Sequence, residues 1–240
     1  MPKGCVIFDF DGVIADTETL HLDSYNDALA HHVAAINGPL AISREDYLRR
    51  YIVYGDREAL AHMLADHARP HDASLVATIA ATKHILFQRK LGTFSDPLPG
   101  VRQVLTWLEE RNVPRGICSG ARRSEIEMLL SAFQLRHHFD VLVAIEDVVL
   151  GKPHPEGYKL AFERLNLEYD AELDRELSLV VEDSAGGCAA ARAAGLRVLG
   201  VAGSLPLAAL ESCATYAIDS LANLDKSLLS QWLGLMNPHP

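Results

Sequence analysis

Short apolar runs alternate with helix-patterned segments through most of this chain. That alternation admits few folds other than a parallel sheet covered by helices on both faces. Residues 5–8, 115–118, 139–143, 177–181 and 197–201 read as buried strands, and 216–218 as one more short strand. Residues 101–111, 124–133, 156–165 and 185–194 read as the helices between them. The first strand stands apart from the others. From Thr17 to Leu91 strand-like runs vanish, and apolar residues recur at helical spacing, as in Leu60, Leu64 and Ala68, and again in Leu75, Ile79 and Ala80. Several helices are expected there, with breaks near Asn37-Gly38-Pro39, Tyr54-Gly55 and Arg69-Pro70. A turn-rich stretch, residues 92–100, closes the block. The pattern therefore predicts an α/β core over residues 1–16 and 92–240, with an all-helical domain over 17–91 inserted after the first strand.

Composition bounds the reading. Of 240 residues, 49% are apolar, enough for a packed core and too many for a disordered chain. No segment approaches the ~18–20 apolar residues of a membrane-spanning helix. The run 5–8 is broken at Asp9, too short for a signal-peptide core, so a cytoplasmic location is expected. The net charge of −10, from 22 basic and 32 acidic side chains, disfavours a nucleic-acid partner. Cys5, Cys118, Cys188 and Cys213 lie far apart, with no ligand-like spacing, and read as buried free thiols in a reducing compartment. A monomer or weak homodimer is expected.

Ligands of open α/β sheets bind beyond the carboxyl ends of the strands. Four such ends carry polar groups: Asp9 and Asp11, Ser119-Gly120, Lys152, and Glu182-Asp183. Each has a plain structural reading, as a turn, a helix cap or a solvated loop lysine. Together they describe a reactive rim. Asp9 can attack an electrophile as a carboxylate, and Asp11, two residues on, can serve the same centre as general acid and then base. Four carboxylates around one point repel one another, and a hard divalent cation such as Mg²⁺ resolves the repulsion. Lys152 would add a point charge. The Ser119 hydroxyl and backbone N–H groups at a helix start would hold phosphoryl oxygens.

The residues at these ends resemble a known family. Asp9-Phe10-Asp11-Gly12-Val13, Ile117-Cys118-Ser119-Gly120, Gly151-Lys152-Pro153 and Val181-Glu182-Asp183-Ser184-Ala185-Gly186-Gly187 are similar, in order and spacing, to the four signatures of the haloacid dehalogenase superfamily. The early helical insert, with Asp16-Thr17-Glu18, His21 and Lys152-Pro153-His154-Pro155, resembles the subfamily holding β-phosphoglucomutase and phosphoglycolate phosphatase. The resemblance implies a Rossmann-like core with an α-helical cap, and a Mg²⁺-dependent reaction on a small phosphorylated metabolite. It implies that Asp9 forms an aspartyl-phosphate and that Asp11 protonates the leaving oxygen and then activates water. It further implies that Asp9, Asp11 (through its main-chain carbonyl) and Asp183 hold the metal, with Glu182 behind them or acting through water. Ser119, Gly120 and Lys152 would bind the transferring phosphoryl group.

Asp11 counts against dehalogenation, whose enzymes lack that acid/base aspartate. A phosphonoacetaldehyde hydrolase would need a cap lysine as Schiff base, and the insert offers only Lys83 and Lys90, both late. Phosphatase is the preferred expectation and sugar phosphomutase the alternative. A mutase needs a cap cation for a second phosphate, for which Arg57 is a candidate, with Arg49 and Arg50 competing. The surface alternative for Arg57 is pairing with Glu58 or Asp56. His21 is singled out among the seven histidines between His21 and His84 because it follows the hinge; its alternative is a packed helix histidine. A non-catalytic binding protein of the same fold is a third expectation, disfavoured because no catalytic group is missing. Residues 17–91 carry 9 acidic and 8 basic residues, so nearly all of the −10 falls on the core. The acid excess thus sits where a cation is expected.

Overall fold

The computed structural model describes residues 3–33, 38–52, 54–170 and 172–235. The expected break at Asn37 and the Pro-ended tail after residue 235 lie outside them. Strand β1 (Val6–Phe8) leads into four helical elements: α1 (Thr17–Val33), α2 (Arg44–Asp46, running into a wider turn over Tyr47–Tyr51), α3 (Asp56–Asp66) and α4 (Ala73–Leu91). The chain continues as α5 (Val101–Glu109), β2 (Arg115–Cys118), α6 (Arg123–Ala132), β3 (Val141–Val143), α7 (Glu156–Glu168), β4 (Leu179–Glu182) and α8 (Ala185–Ala193). It ends with β5 (Arg197–Val201), α9 (Leu207–Leu210), β6 (Tyr216–Ile218) and α10 (Lys226–Trp232).

These elements form two compact units, one from residues 1–16 with 95–240 and one from residues 17–94. The helical unit thus closes three residues later than the sequence pattern places its end. In the first unit the six strands are all parallel, in the order β3-β2-β1-β4-β5-β6. The register sets Phe8 beside Ile117 on one side and Val181 on the other. β1 is therefore buried by neighbours at both edges, and all three of its residues are apolar. Helix α5 shows why its sequence is helical. Val101, Val104, Leu105 and Leu108 recur at one face and are all buried, each contributing about 1.5–3 kcal/mol. Helix α8 buries Gly187, Cys188, Ala190 and Ala191, whose small side chains allow close approach to the sheet.

Two expected strands are shorter than their apolar runs. Arg136–His138 and Arg175–Leu177 each wind into a single tight turn first, the latter capped by the Asp174 carboxylate accepting from the Glu176 N–H. Three cysteines are buried, whereas Cys213 is partly exposed, against the expectation for all four; all are free thiols. Burial pushes the Cys5 and Cys118 thiols up to about 12. Among the described residues no helix is long and apolar enough to cross a membrane.

The helical unit has its own core, built on Leu29, Leu60, Met63, Leu64 and Ile79. Asp72 caps α4 by accepting from the Leu75 N–H. Ala68 does not continue the Leu60–Leu64 helical face. Helix α3 stops at Asp66, and Ala68 adopts a left-handed conformation with φ 51° before Pro70, because the residue ahead of a proline disfavours helix and the chain turns first.

Candidate active site

The polar rim grows out of the strand ends. The Asp9 N–H donates to the Val181 carbonyl at 2.9 Å, extending the sheet pairing by one residue and sending the Asp9 side chain off the end of β1. The chain then turns at once, with the Ile14 and Ala15 N–H groups donating to the Phe10 carbonyl and the Gly12 N–H to the Ala15 carbonyl. Gly12 has φ 74°, and a Cβ there would stand 2.0 Å from Asp183 Oδ2. Only glycine lets this turn press against the β4 end.

Three of the six polar side chains, Asp9, Lys152 and Glu182, are linked through Lys152. Its Nζ donates to Asp9 Oδ1 and to Glu182 Oε1, each at 2.7 Å, and lies 4.9 Å from the Tyr158 ring centre. Glu182 is fully buried. Its Oε1 also accepts from the Tyr158 hydroxyl at 2.8 Å, and its Oε2 accepts from the Asp183 N–H, the Ser184 N–H and Ser184 Oγ. Five donors thus saturate a group that burial alone would neutralise. Burial raises its pKa, but Lys152, Tyr158 and the Ser184 N–H outweigh it and hold the carboxyl below its ordinary range. Lys152 is held above its ordinary value by Asp9 and Glu182, against the opposing effect of burial.

Asp9 behaves differently. Burial pushes its carboxyl well up, and Glu182, Asp11 and Asp183 push the same way; Lys152 alone opposes them. Lys152 is shared with Glu182, so it does not neutralise Asp9. Asp183 is pushed up to about 6, chiefly by burial, although Oδ2 accepts from the Ser204 N–H at 2.7 Å. Asp11 is only half-buried, and its Oδ2 accepts from Ser119 Oγ at 3.2 Å. Ser119 is itself held by the Ala121 N–H donating to Oγ at 3.0 Å. Gly120 beside it is exposed, and α6 begins only at Arg123, so the helix start lies further from Ser119 than its sequence suggests.

The donor set fits a hard divalent cation. Carboxylate oxygens of Asp9, Glu182 and Asp183 lie within 4.8 Å of one another, all are oxygen ligands, and the excess of negative charge is what a cation offsets. Glu182 has its oxygens committed to five donors, so Asp9 and Asp183 carry the free lone pairs. Glu182 stands in this cluster with Asp9 and Asp183, and its donors also let it orient Lys152 and the β4–α8 turn.

Glycine is again required where α8 begins. A Cβ at Gly187 would stand 1.6 Å from Glu182 Oε1. Gly187→Ala is expected to displace Glu182, lower stability by about 1–3 kcal/mol as an overpacked site, and slow any chemistry carried out at the rim. Urea unfolding and a rate measurement on the purified variant check this; unchanged values in both would show that the turn yields without cost.

Residues of the helical unit are placed within it. His21 stacks on Phe87 with ring centres 4.1 Å apart, and its Nδ1 accepts from Lys83 Nζ at 2.8 Å. Burial, then the Lys83 charge, lowers its pKa to about 3, so the ring is neutral. Lys83 is buried and donates also to Asp56 Oδ1 at 2.7 Å, which accepts in turn from the Tyr25 hydroxyl. Arg49 pairs with Asp46, and Arg50 with Asp66. Arg57 is exposed at the start of α3; among the described residues it joins no ion pair, and Asp56 is taken by Lys83 rather than by Arg57.

Sequence reasoning passed over Tyr158, Ser184 as a Glu182 partner, and Ser204. Ser204 follows β5, a strand end of the same kind as the other four, and that position was its available signal.

Residues 4–195 match the haloacid dehalogenase-like hydrolase family. The chain is 32% identical to a phosphorylated carbohydrates phosphatase of Thermotoga maritima, over 83% of this chain and 86% of that protein. It is 29% identical to the fructose-1-phosphate phosphatase YqaB of Escherichia coli, over 82% of this chain and 95% of that one. Among solved structures, a CbbY variant of Rhodobacter sphaeroides in complex with xylulose 1,5-bisphosphate superposes with a TM-score of 0.73 at 25% identity, covering 93% of this chain and 96% of that one.

Proposed function

This chain belongs to the haloacid dehalogenase-like hydrolases, and from that premise we propose that it is a divalent-metal-dependent phosphatase of small phosphorylated carbohydrates. The observation that carries the reading is the convergence of Asp9, Asp11, Ser119, Lys152 and Asp183 on one rim, with Asp11 placed by Ser119 and Asp9 by Lys152. Relatives named for phosphorylated carbohydrates and for fructose 1-phosphate support the substrate class.

Asp9 is the nucleophile. Its carboxylate attacks phosphorus, the P–O bond to the sugar breaks, and Asp11 donates a proton to the leaving oxygen. Asp11, now a carboxylate, takes a proton from water as that water attacks the aspartyl-phosphate, which releases inorganic phosphate and restores Asp9. Lys152 fixes the Asp9 rotamer and supplies positive charge to the phosphoryl oxygens. Ser119 and Gly120 bound the phosphoryl pocket, and Glu182 holds Lys152. Asp9, the Asp11 main-chain carbonyl and Asp183 would hold Mg²⁺, which when bound offsets the charge shared by the nucleophile and phosphoryl group. Selection of the sugar is assigned to the helical unit, residues 17–94, by the subfamily resemblance.

A second reading, a sugar phosphomutase, is favoured by one observation: Arg57 is an exposed cation that joins no ion pair among the described residues, suited to a second phosphate. The two readings part in one assay. With Mg²⁺ and no bisphosphate, sugar phosphates and phosphoglycolate are expected to release inorganic phosphate, and a chelator is expected to stop the release. Conversion of β-glucose 1-phosphate to glucose 6-phosphate only when bisphosphate is added, with little free phosphate, would favour the mutase instead.

A further inference from the structure

Away from the carboxylate rim, one cluster of metal-ligating side chains has no part in the reaction above. Glu109 is the last residue of α5, and His137 and His138 lie in the turn ahead of β3. β3 runs parallel to β1, so this turn sits at the amino-terminal edge of the sheet, across from Asp9. One ligand atom from each of the three residues lies within 4.8 Å of the other two. The two imidazole rings are 4.1 Å apart, and Glu109 Oε2 is 3.2 Å from His138 Nδ1.

The second observation is at His138. This side chain is 9% exposed, and its Nδ1 is a buried atom with no hydrogen-bond partner. Glu109 is near enough, but the geometry of a hydrogen bond is not met. A buried nitrogen without a partner is unfavourable, so a group that satisfied it would be favoured. We propose that Glu109, His137 and His138 bind a borderline divalent cation of the zinc class, tying the end of α5 to the turn before β3.

The donor chemistry selects the ion. Two imidazoles with one carboxylate suit Zn²⁺ and its first-row neighbours, and do not suit Mg²⁺, which prefers oxygen. Metal–ligand distances of about 2.0–2.2 Å place tetrahedral donors roughly 3.4 Å apart. Glu109 and His137 are exposed and His138 is buried, so the closing movement falls to the two exposed side chains. Water would complete the coordination. The carboxyl end of α5 presents its negative dipole end here, which favours a cation. Burial first, and then His137, lower the His138 pKa, which keeps its lone pair available near neutrality. Two cations also face His138, Arg102 on α5 and Arg115 on β2. Arg115 is committed to the His138 and Val113 carbonyls, at 2.7 Å and 3.0 Å. They set an upper limit on affinity.

The test uses the full chain with zinc in the presence of excess Mg²⁺, which occupies the carboxylate rim and does not compete for imidazole. Titration calorimetry is expected to show one equivalent of Zn²⁺ bound. His137→Ala and Glu109→Gln, both at exposed positions, are each expected to weaken it tenfold or more and to abolish the zinc-dependent rise in Tm. Mg²⁺-supported phosphatase activity should be unchanged in both variants, and Co²⁺ in place of zinc should give visible d–d absorption that the variants lose. Wild-type zinc affinity in both variants would overturn the site. Binding that survives in them but vanishes in Asp183→Asn would overturn it as well, by placing the zinc at the rim.

Discussion

Replacing Asp9 by asparagine is expected to lower turnover on a sugar phosphate by at least about 10⁴-fold, with the fold intact. At about 1.36 kcal/mol per tenfold, that is more than ~5 kcal/mol of lost transition-state stabilisation. The amide is nearly isosteric with the carboxylate but is a far weaker nucleophile, so the covalent step fails while its geometry is kept. Stability should not fall in parallel. Asparagine still offers an oxygen to Lys152 Nζ, and it removes one of the carboxylates crowded with Asp11, Glu182 and Asp183. Steady-state rates with Mg²⁺ and a urea melt on the same preparation separate the two effects. Equal rates for variant and wild type would remove Asp9 from the mechanism and point to a contaminating phosphatase.

Lys152→Met is expected to damage activity and stability together. Its ammonium is the shared partner of Asp9 and the fully buried Glu182, and breaking a buried pair from one side costs about 3–5 kcal/mol. The pH dependence gives a sharper signature. In the wild type the Glu182 carboxyl lies below its ordinary value of 4.5, so the stability it contributes is present above that pH and is lost on acidification. Without Lys152, burial dominates and pushes the Glu182 carboxyl up. A group raised on folding contributes stability at low pH that is lost as pH rises. The difference in unfolding free energy between wild type and variant should therefore shrink toward pH 4 and widen toward pH 7. Urea melts across that range, with a chelator present to keep metal from the rim, measure it. A difference that stayed constant with pH would show that Lys152 does not hold Glu182 ionised.

The parts legible in the sequence are those that depend on local pattern. A strand buried on both faces is a short apolar run, and a strand end that carries chemistry is the polar residue following it. Asp9, Asp11, Ser119, Glu182 and Asp183 are legible for this reason, although β1 and β4 are separated by the whole helical unit; Lys152, nine residues beyond the end of β3, is legible instead through its Gly-Lys-Pro motif. What escaped depends on long-range geometry. That Glu182 is saturated by five donors, one of them Tyr158 from α7, follows only from how α7 lies on the sheet. His21 and Lys83 are 62 residues apart, and only the packing of α1 on α4 makes them neighbours. The end of α3 is not legible at Ala68, because an apolar residue in phase with Leu60 and Leu64 carries no sign that the backbone has already turned left-handed.

The position of β1 also governs the order in which the protein can be built. It is made before the other five described strands, yet it lies inside the sheet, where its partners are β2 and β4. Neither partner exists until more than a hundred further residues have been made, and the second follows only with Leu179. The helical unit, by contrast, closes its core entirely within residues 17–94. It can fold on the growing chain while β1 waits unpaired behind it, so the sheet must assemble around a strand whose own neighbours in sequence are already folded.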